Sequence, residues 1–234
     1  MCVNYTPATR QHLVDVFKAP PPEGSDWPTE TYQDYLAPIM RLDDIGARET
    51  LLASFGIIPK AHLPDSAKHF STMNARSETV GQLRSFSAAW RSGQLALIPC
   101  EDFFEPNWET GRHVRWRIGM ADRAPFAIAG LWRRWQDAEG GVSHSFTQLT
   151  VNADEHPLMA RFHRPGTEKR SLVIVPREEY DAWLGCRNPE VARTFLQQYP
   201  SLLMRAEPAP KLARPKIAID STGIEHGRNR DLFG

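Results

Sequence analysis

Residues 113–120 read HVRWRIGM, and that stretch decides the fold class. Val114, Trp116, Ile118 and Met120 alternate with Arg115, Arg117 and Gly119, the period of two that sends successive side chains to opposite faces of a strand. The segments around it carry β signals too. LALIP (95–99) reads as a short buried strand and PFAIAGLW (125–132) as another, and SFTQLTV (145–151) and SLVIV (171–175) add two more. Further upstream, LLASFGIIPKAHLP (51–64) is an apolar run closed by Pro59 and Pro64, expected as a strand or buried turn. Helices belong at the ends. In TPATRQHLVDVF (6–17), Thr6 is the expected N-cap and Pro7 the first helical residue, and APPPEGSDWP (19–28) then breaks the helix. Pro176 opens PREEYDAWL, while Asn188 caps NPEVARTFLQQY with Pro189 behind it. The expected fold is α+β, with a mostly antiparallel, barrel-like β-sheet core and peripheral helices. One domain is expected over residues 1–200, and the tail 201–234, rich in Pro and Gly, is expected to be a mobile arm.

Composition narrows the function classes. With 234 residues and 41% hydrophobic side chains the chain can bury one sizeable core. Lys and Arg number 28 against 28 Asp and Glu, so no global basic field draws in nucleic acid, and any such partner must use a local patch. Cys2, Cys100 and Cys186 fit neither a zinc site nor a disulfide framework, so a reducing compartment and no metal or cofactor are expected. No leader and no apolar run of ~20 residues is present, so a cytoplasmic protein starting at its own Met1, without membrane contact, is expected.

Four places could carry chemistry. MCVNYTP (1–7) sets a thiol behind the initiator methionine, whose removal would give Cys2 a free α-amine as well. Such a pair can close a five-membered ring on an aldehyde. The amine, with an ordinary pKa of ~7.7–8.0, attacks first, and the thiol, ordinarily ~8.5, adds to the imine. Taken alone, Cys2 reads more plainly as incidental. In LALIPCEDFFEPNW (95–108), Glu105 follows Phe104 and precedes Pro106, with Phe103 and Trp108 close by. Apolar neighbours disfavour a carboxylate charge, which suits a group that both gives and takes a proton, although an exposed loop glutamate is the plainer reading. MNARSETV (73–80) packs Asn74, Arg76, Glu78 and Thr79 into one polar run, where an amide could orient an amine and a guanidinium could hold a phosphate; a solvated helix start is the alternative. LTVNADEHPLMARFHRPGTEKR (149–170) supplies His156, His163, Arg161, Arg164, Lys169 and Arg170 in a loop, where a histidine can shuttle protons or simply be solvated.

Together, Met1-Cys2, NARSET (74–79), LIPCEDFFEP (97–106), AGLW (129–132) and Thr150-x-Asn152-Ala153 followed by His163 resemble the SOS response-associated peptidase family, from about Cys2 to Trp183. The resemblance implies that Cys2 captures the ring-opened aldehyde of an abasic site in single-stranded DNA as a thiazolidine crosslink, part of a DNA damage response that shields the template. It implies Cys2 as nucleophile, Asn74 orienting its amine, Glu105 as acid and base, and His163 assisting Schiff-base formation and reversal, a lyase-like step. The implied peptidase activity would most simply release Met1. Asn4, Pro38, Arg76, Arg84, Thr150, Arg161 and Arg164 are the implied DNA contacts of a protein expected to be a monomer. The chain departs from the family pattern at Val3 and Asn4 where Gly-Arg is common, at Pro106 where Trp is usual, and after His163, where Arg164 and Arg170 both stand for a missing arginine. Two other classes are compatible with the residues: an N-terminal-nucleophile cysteine amidohydrolase, and a non-catalytic module that binds single-stranded DNA.

Overall fold

A computed structural model describes residues 3–24, 26–64 and 70–211. The chain order begins with β1 (Tyr5–Pro7), α1 (Arg10–Asp15), β2 (Leu36–Leu42), β3 (Arg48–Phe55) and β4 (Asn74–Arg76). It continues with α2 (Ser87–Arg91), β5 (Leu95–Asn107), β6 (Val114–Met120), β7 (Phe126–Gln136) and β8 (Val142–Asn152). Last come β9 (Arg170–Leu172), β10 (Ile174–Val175), α3 (Tyr180–Gly185), α4 (Pro189–Thr194) and β11 (Met204–Pro208). The ring β7-β8-β3-β2-β5 closes because β5 also pairs with β7. Only the β3–β8 contact within that ring is parallel, so the expected barrel-like core is present as a five-stranded mixed barrel.

Closure follows from the alternation along β5. Ala96, Ile98 and Cys100 point into the barrel, where they meet Ile39, Phe55, Ile128 and Phe146. Leu95 and Leu97 point outward to a second apolar layer that seats Leu13, Trp90 and Trp183 of the helices. The Trp183 indole donates to the Ala96 carbonyl at 2.9 Å, which ties α3 to the outside of the barrel. Gly130 sits on β7 between β5 and β8, and a Cβ there would press on the Ile98 side chain and come within 2.5 Å of the Thr147 carbonyl. Glycine lets these strands close.

Beyond Cys100, β5 leaves the ring and pairs instead with β1 and β6, carrying Glu105 out along a two-sided ribbon. Glu105 faces the same side as Phe103, which is in the barrel interior, while Phe104 and Pro106 face the other.

Two expectations change, and one strand, β2, had none. The first helix starts at Arg10, capped by Thr9, whose hydroxyl accepts from His12 N at 3.2 Å; Thr6 and Pro7 are instead held in β1 by the β5 edge. β2 carries no clear strand signal because Pro38 interrupts it. It pairs with β3 along its length but with β5 only at Met40, so an amide-less residue fits beside the unpaired edge. The tail does not begin at residue 201: β11 pairs with β6 from Met204 to Pro208, and buried Met204 anchors it. Expectations for residues 212–234, like those for Met1 and Cys2, lie outside the described residues. Among the described residues no helix is long and apolar enough to cross a membrane.

Candidate functional site

Glu105 and His163 lie far apart in the chain and meet. Glu105 Oε2 lies 3.2 Å from His163 Nε2, and their side chains are only 3% and 7% exposed. The strand supplies the carboxylate and a loop supplies the ring. That loop is docked on the β5 ribbon by a bridge between Asn107 and Phe162 and by the His163 amide, which donates to the Pro106 carbonyl at 2.9 Å. His163 adopts φ +63°, a left-handed conformation that ordinary side chains avoid. Lys169 holds the turn there. Its ammonium donates to the carbonyls of Phe162, His163 and Arg164 at 2.8, 3.3 and 3.2 Å. A carboxyl and an imidazole kept in contact and away from bulk water can pass a proton between them and a substrate held alongside.

A second group lies on β4 and its neighbours. Asn74 stands opposite Gln148 of β8, and Arg76 opposite Thr150. The Arg76 guanidinium is half exposed and 2.7 Å from Glu168. Arg170 is buried. It forms two bonds to Glu78, at 2.9 Å each, one to Glu168 at 2.7 Å and one to the Thr150 carbonyl at 2.7 Å, so it braces the NARSET turn. Arg164 is exposed, with its guanidinium 6.0 Å from the Trp108 ring centre. Burial opposes the Glu78 charge, but the Arg170 bonds outweigh it and hold the carboxyl below its ordinary value. Among the described residues, fully buried Gln148 has no hydrogen-bond partner for either amide atom. Sequence reading passed it over because only the pairing with Asn74 reveals its place.

The expected DNA contacts divide. Arg84 is exposed in the turns between β4 and α2. Arg161 is exposed, with Glu109 bound at 2.8 and 3.0 Å; that fork pushes the Glu109 carboxyl down to about 2. Three others are buried. Pro38 is buried, opposite Leu52 in the β2–β3 pairing. Thr150 is buried, its hydroxyl donating to the Ala75 carbonyl at 3.3 Å. Asn4 is buried and its amide donates to Glu30 at 2.9 Å and Tyr32 at 3.3 Å, bracing a wall. The Cys2 position adjoins Val3 in the chain but lies outside the described residues.

Beside the Glu105 strand opens a cavity of about 460 Å³, lined by Val3 and Asn4, by Phe104, Glu105 and Pro106, by His113, Val114 and Arg115, and by Tyr32, Pro210 and Lys211. Among the described residues no cluster of His, Cys, Asp and Glu has the form of a metal site.

The description "SOS response associated peptidase (SRAP)" belongs to a family whose model matches residues 1–212. The chain is 28% identical over 170 residues to the abasic site processing protein YobE of Bacillus subtilis, covering 71% of this chain and 74% of that one. It is 29% identical over 148 residues to the abasic site processing protein YoqW of Bacillus phage SPbeta, covering 62% of each. A crystal structure of a Bordetella bronchiseptica protein matches with a TM-score of 0.81 at 35% identity, covering 90% of this chain and 100% of that chain. One from Bacteroides thetaiotaomicron matches with a TM-score of 0.69 at 19% identity, covering 88% and 91%, a likeness of fold.

Proposed function

Because the chain belongs to the SOS response-associated peptidase family, we propose that it processes abasic sites by capturing their aldehyde covalently at Cys2 once Met1 has been removed. The chemistry balances. The α-amine adds to the aldehyde carbon, the carbinolamine oxygen leaves as water, and the imine forms; the thiol then adds across the C=N bond, sulfur to carbon and proton to nitrogen, closing a thiazolidine. Glu105 carries the protons in each step, and His163, in contact with it, assists formation and reversal of the imine. Asn74 orients the amine. Single-stranded DNA is the substrate in this reading, where the abasic sugar presents its aldehyde with no base to flip and no opposing strand around it. Exposed Arg84, Arg161 and Arg164 with half-exposed Arg76 meet phosphates without reading sequence. Release of Met1 is the peptidase step of the same site.

The observation that supports this reading best is the buried Glu105–His163 contact at the edge of a cavity that also takes in Val3, one peptide bond from Cys2. An N-terminal-nucleophile amidohydrolase would need a layered sandwich of two sheets, whereas this sheet closes into a barrel. The test is a denaturing gel of the purified full chain with single-stranded DNA carrying one abasic site. The wild type should give a denaturant-resistant adduct that intact DNA of the same sequence does not, and Cys2→Ala should give none. An equal adduct from Cys2→Ala would remove Cys2 from its role.

A further inference from the structure

We propose that Gln148 holds the water that leaves when the imine forms and that returns when the imine is hydrolysed. The inference rests on the function proposed above and assigns one of its steps to a residue. Register places the side chain. β5 and β8 both run antiparallel to β7, so they share a direction. Tyr5, opposite Phe103, lies in the barrel interior with its ring edge-on to that of Phe146, centres 6.5 Å apart. Glu105 follows Phe103 by two residues and Gln148 follows Phe146 by two, each on the same face of its strand as the phenylalanine, so both stand toward one end of the interior. β1 runs against β5, which takes the chain from Tyr5 back to Val3 toward that end, and β4 sets Asn74 across from Gln148.

The side chain suits a small neutral ligand. Gln148 is 0% exposed, and among the described residues its amide oxygen and nitrogen both lack a hydrogen-bond partner. Its backbone N–H is in use, donating to the Met73 carbonyl at 2.9 Å. An apolar side chain of the same size would fill this place behind Phe146 without burying two donor hydrogens and an acceptor, so packing alone disfavours the amide. Being uncharged, the amide offers no counter-ion to a phosphate, whereas water brings two donors and two acceptors to match it. The step balances in both directions. Glu105 protonates the carbinolamine oxygen, the C–O bond breaks, and the nitrogen returns its proton to Glu105; the water set free donates to the Gln148 carbonyl and accepts from its NH₂. In reverse, the thiazolidine C–S bond opens with the nitrogen's proton passing to sulfur, and the held water adds to the imine carbon. The carbinolamine then splits at its C–N bond into amine and aldehyde.

The experiment follows three quantities in the full chain: single-turnover capture of a labelled abasic single-stranded oligonucleotide, release of that strand after an excess of unlabelled abasic oligonucleotide is added, and the adduct fraction at equilibrium. Gln148→Met should slow capture and release by the same factor, about tenfold for the loss of the water's hydrogen bonds, and keep the wild-type equilibrium fraction, because a group that serves one step in both directions shifts no equilibrium. Its melting temperature should not fall, since methionine matches the volume and leaves no polar atom unsatisfied. Gln148→Leu should behave in the same way. Unchanged rates, slowing in one direction only, or a lower melting temperature in both variants would overturn the assignment while leaving capture by Cys2 standing. A wild type that forms no adduct would overturn both.

Discussion

The Glu105 carboxyl and the His163 ring are close enough to act as one proton-handling unit. Glu105→Gln keeps shape and hydrogen-bonding capacity but cannot transfer a proton, so capture of abasic DNA should slow by about 10²–10⁴-fold with the melting temperature little changed. Unchanged single-turnover rates would take Glu105 out of the mechanism. His163 needs a sharper substitution because its backbone is left-handed. His163→Asn tolerates that conformation, whereas His163→Ala adds about 1 kcal/mol of strain. Both should slow crosslink reversal, and only Ala should also lower thermal stability; equal stabilities would mean that the turn is not strained. Much of this pair was legible in the sequence: Glu105 stood among aromatics on a strand end, and His163 in a polar loop rich in cations. The burial of Asn4, Pro38 and Thr150 was not, because each is covered by residues distant in the chain: Glu30 and Tyr32 over Asn4, Leu52 across from Pro38, Arg170 against Thr150.

At the scale of elements, two devices hold the site. The loop that carries His163 has its carbonyls gathered by one ammonium, so Lys169→Met should slow capture by roughly ten- to a hundredfold through misplacement of the ring, while Lys169→Arg recovers part of the rate. If Lys169→Met leaves single-turnover rates at the wild-type value, the loop does not depend on that clamp. The barrel depends on Gly130, where a methyl group has no room beside Ile98 and Thr147. Gly130→Ala should therefore destabilise the protein by about 1–3 kcal/mol, read as a lower denaturation midpoint. Alternation made β6, β7 and β8 readable, and the Asn188–Pro189 helix start matches the structure. The first helix was misplaced by three residues because the β5 edge captures Thr6 and Pro7 as a strand, a contact the local sequence does not announce. β11 was missed for the same reason. A short segment without periodicity becomes a strand because β6 presents an edge to it.

Over the whole molecule, equal numbers of acidic and basic side chains are organised into ion pairs whose carboxylates respond to acid. A hydrogen bond from Arg170 holds Glu168 below its ordinary value; for Glu78 and Glu30 burial opposes the charge, but Arg170 in one case and Tyr32 with Arg115 in the other outweigh it. Carboxylates depressed in the folded state contribute stability above about pH 4.5, and that contribution is lost as the pH falls through their lowered values. Asp102, raised by burial against Arg205 and Arg117, works in the opposite direction and offsets part of it. The melting temperature should therefore drop below about pH 4.5, and less steeply in Glu78→Gln; a flat profile to pH 3 would contradict this. Neutral net charge also makes any DNA binding a matter of local patches, so in the proposed function retention on a damaged strand would fall to the covalent bond. The intact mass of the adduct with an abasic single-stranded oligonucleotide tests that bond directly. The predicted mass is that of the chain without Met1 plus the oligonucleotide minus one water, unchanged by borohydride because the imine has closed to a thiazolidine. An adduct that retains Met1, or one that borohydride reduces in full, would contradict capture by the amine and thiol of Cys2.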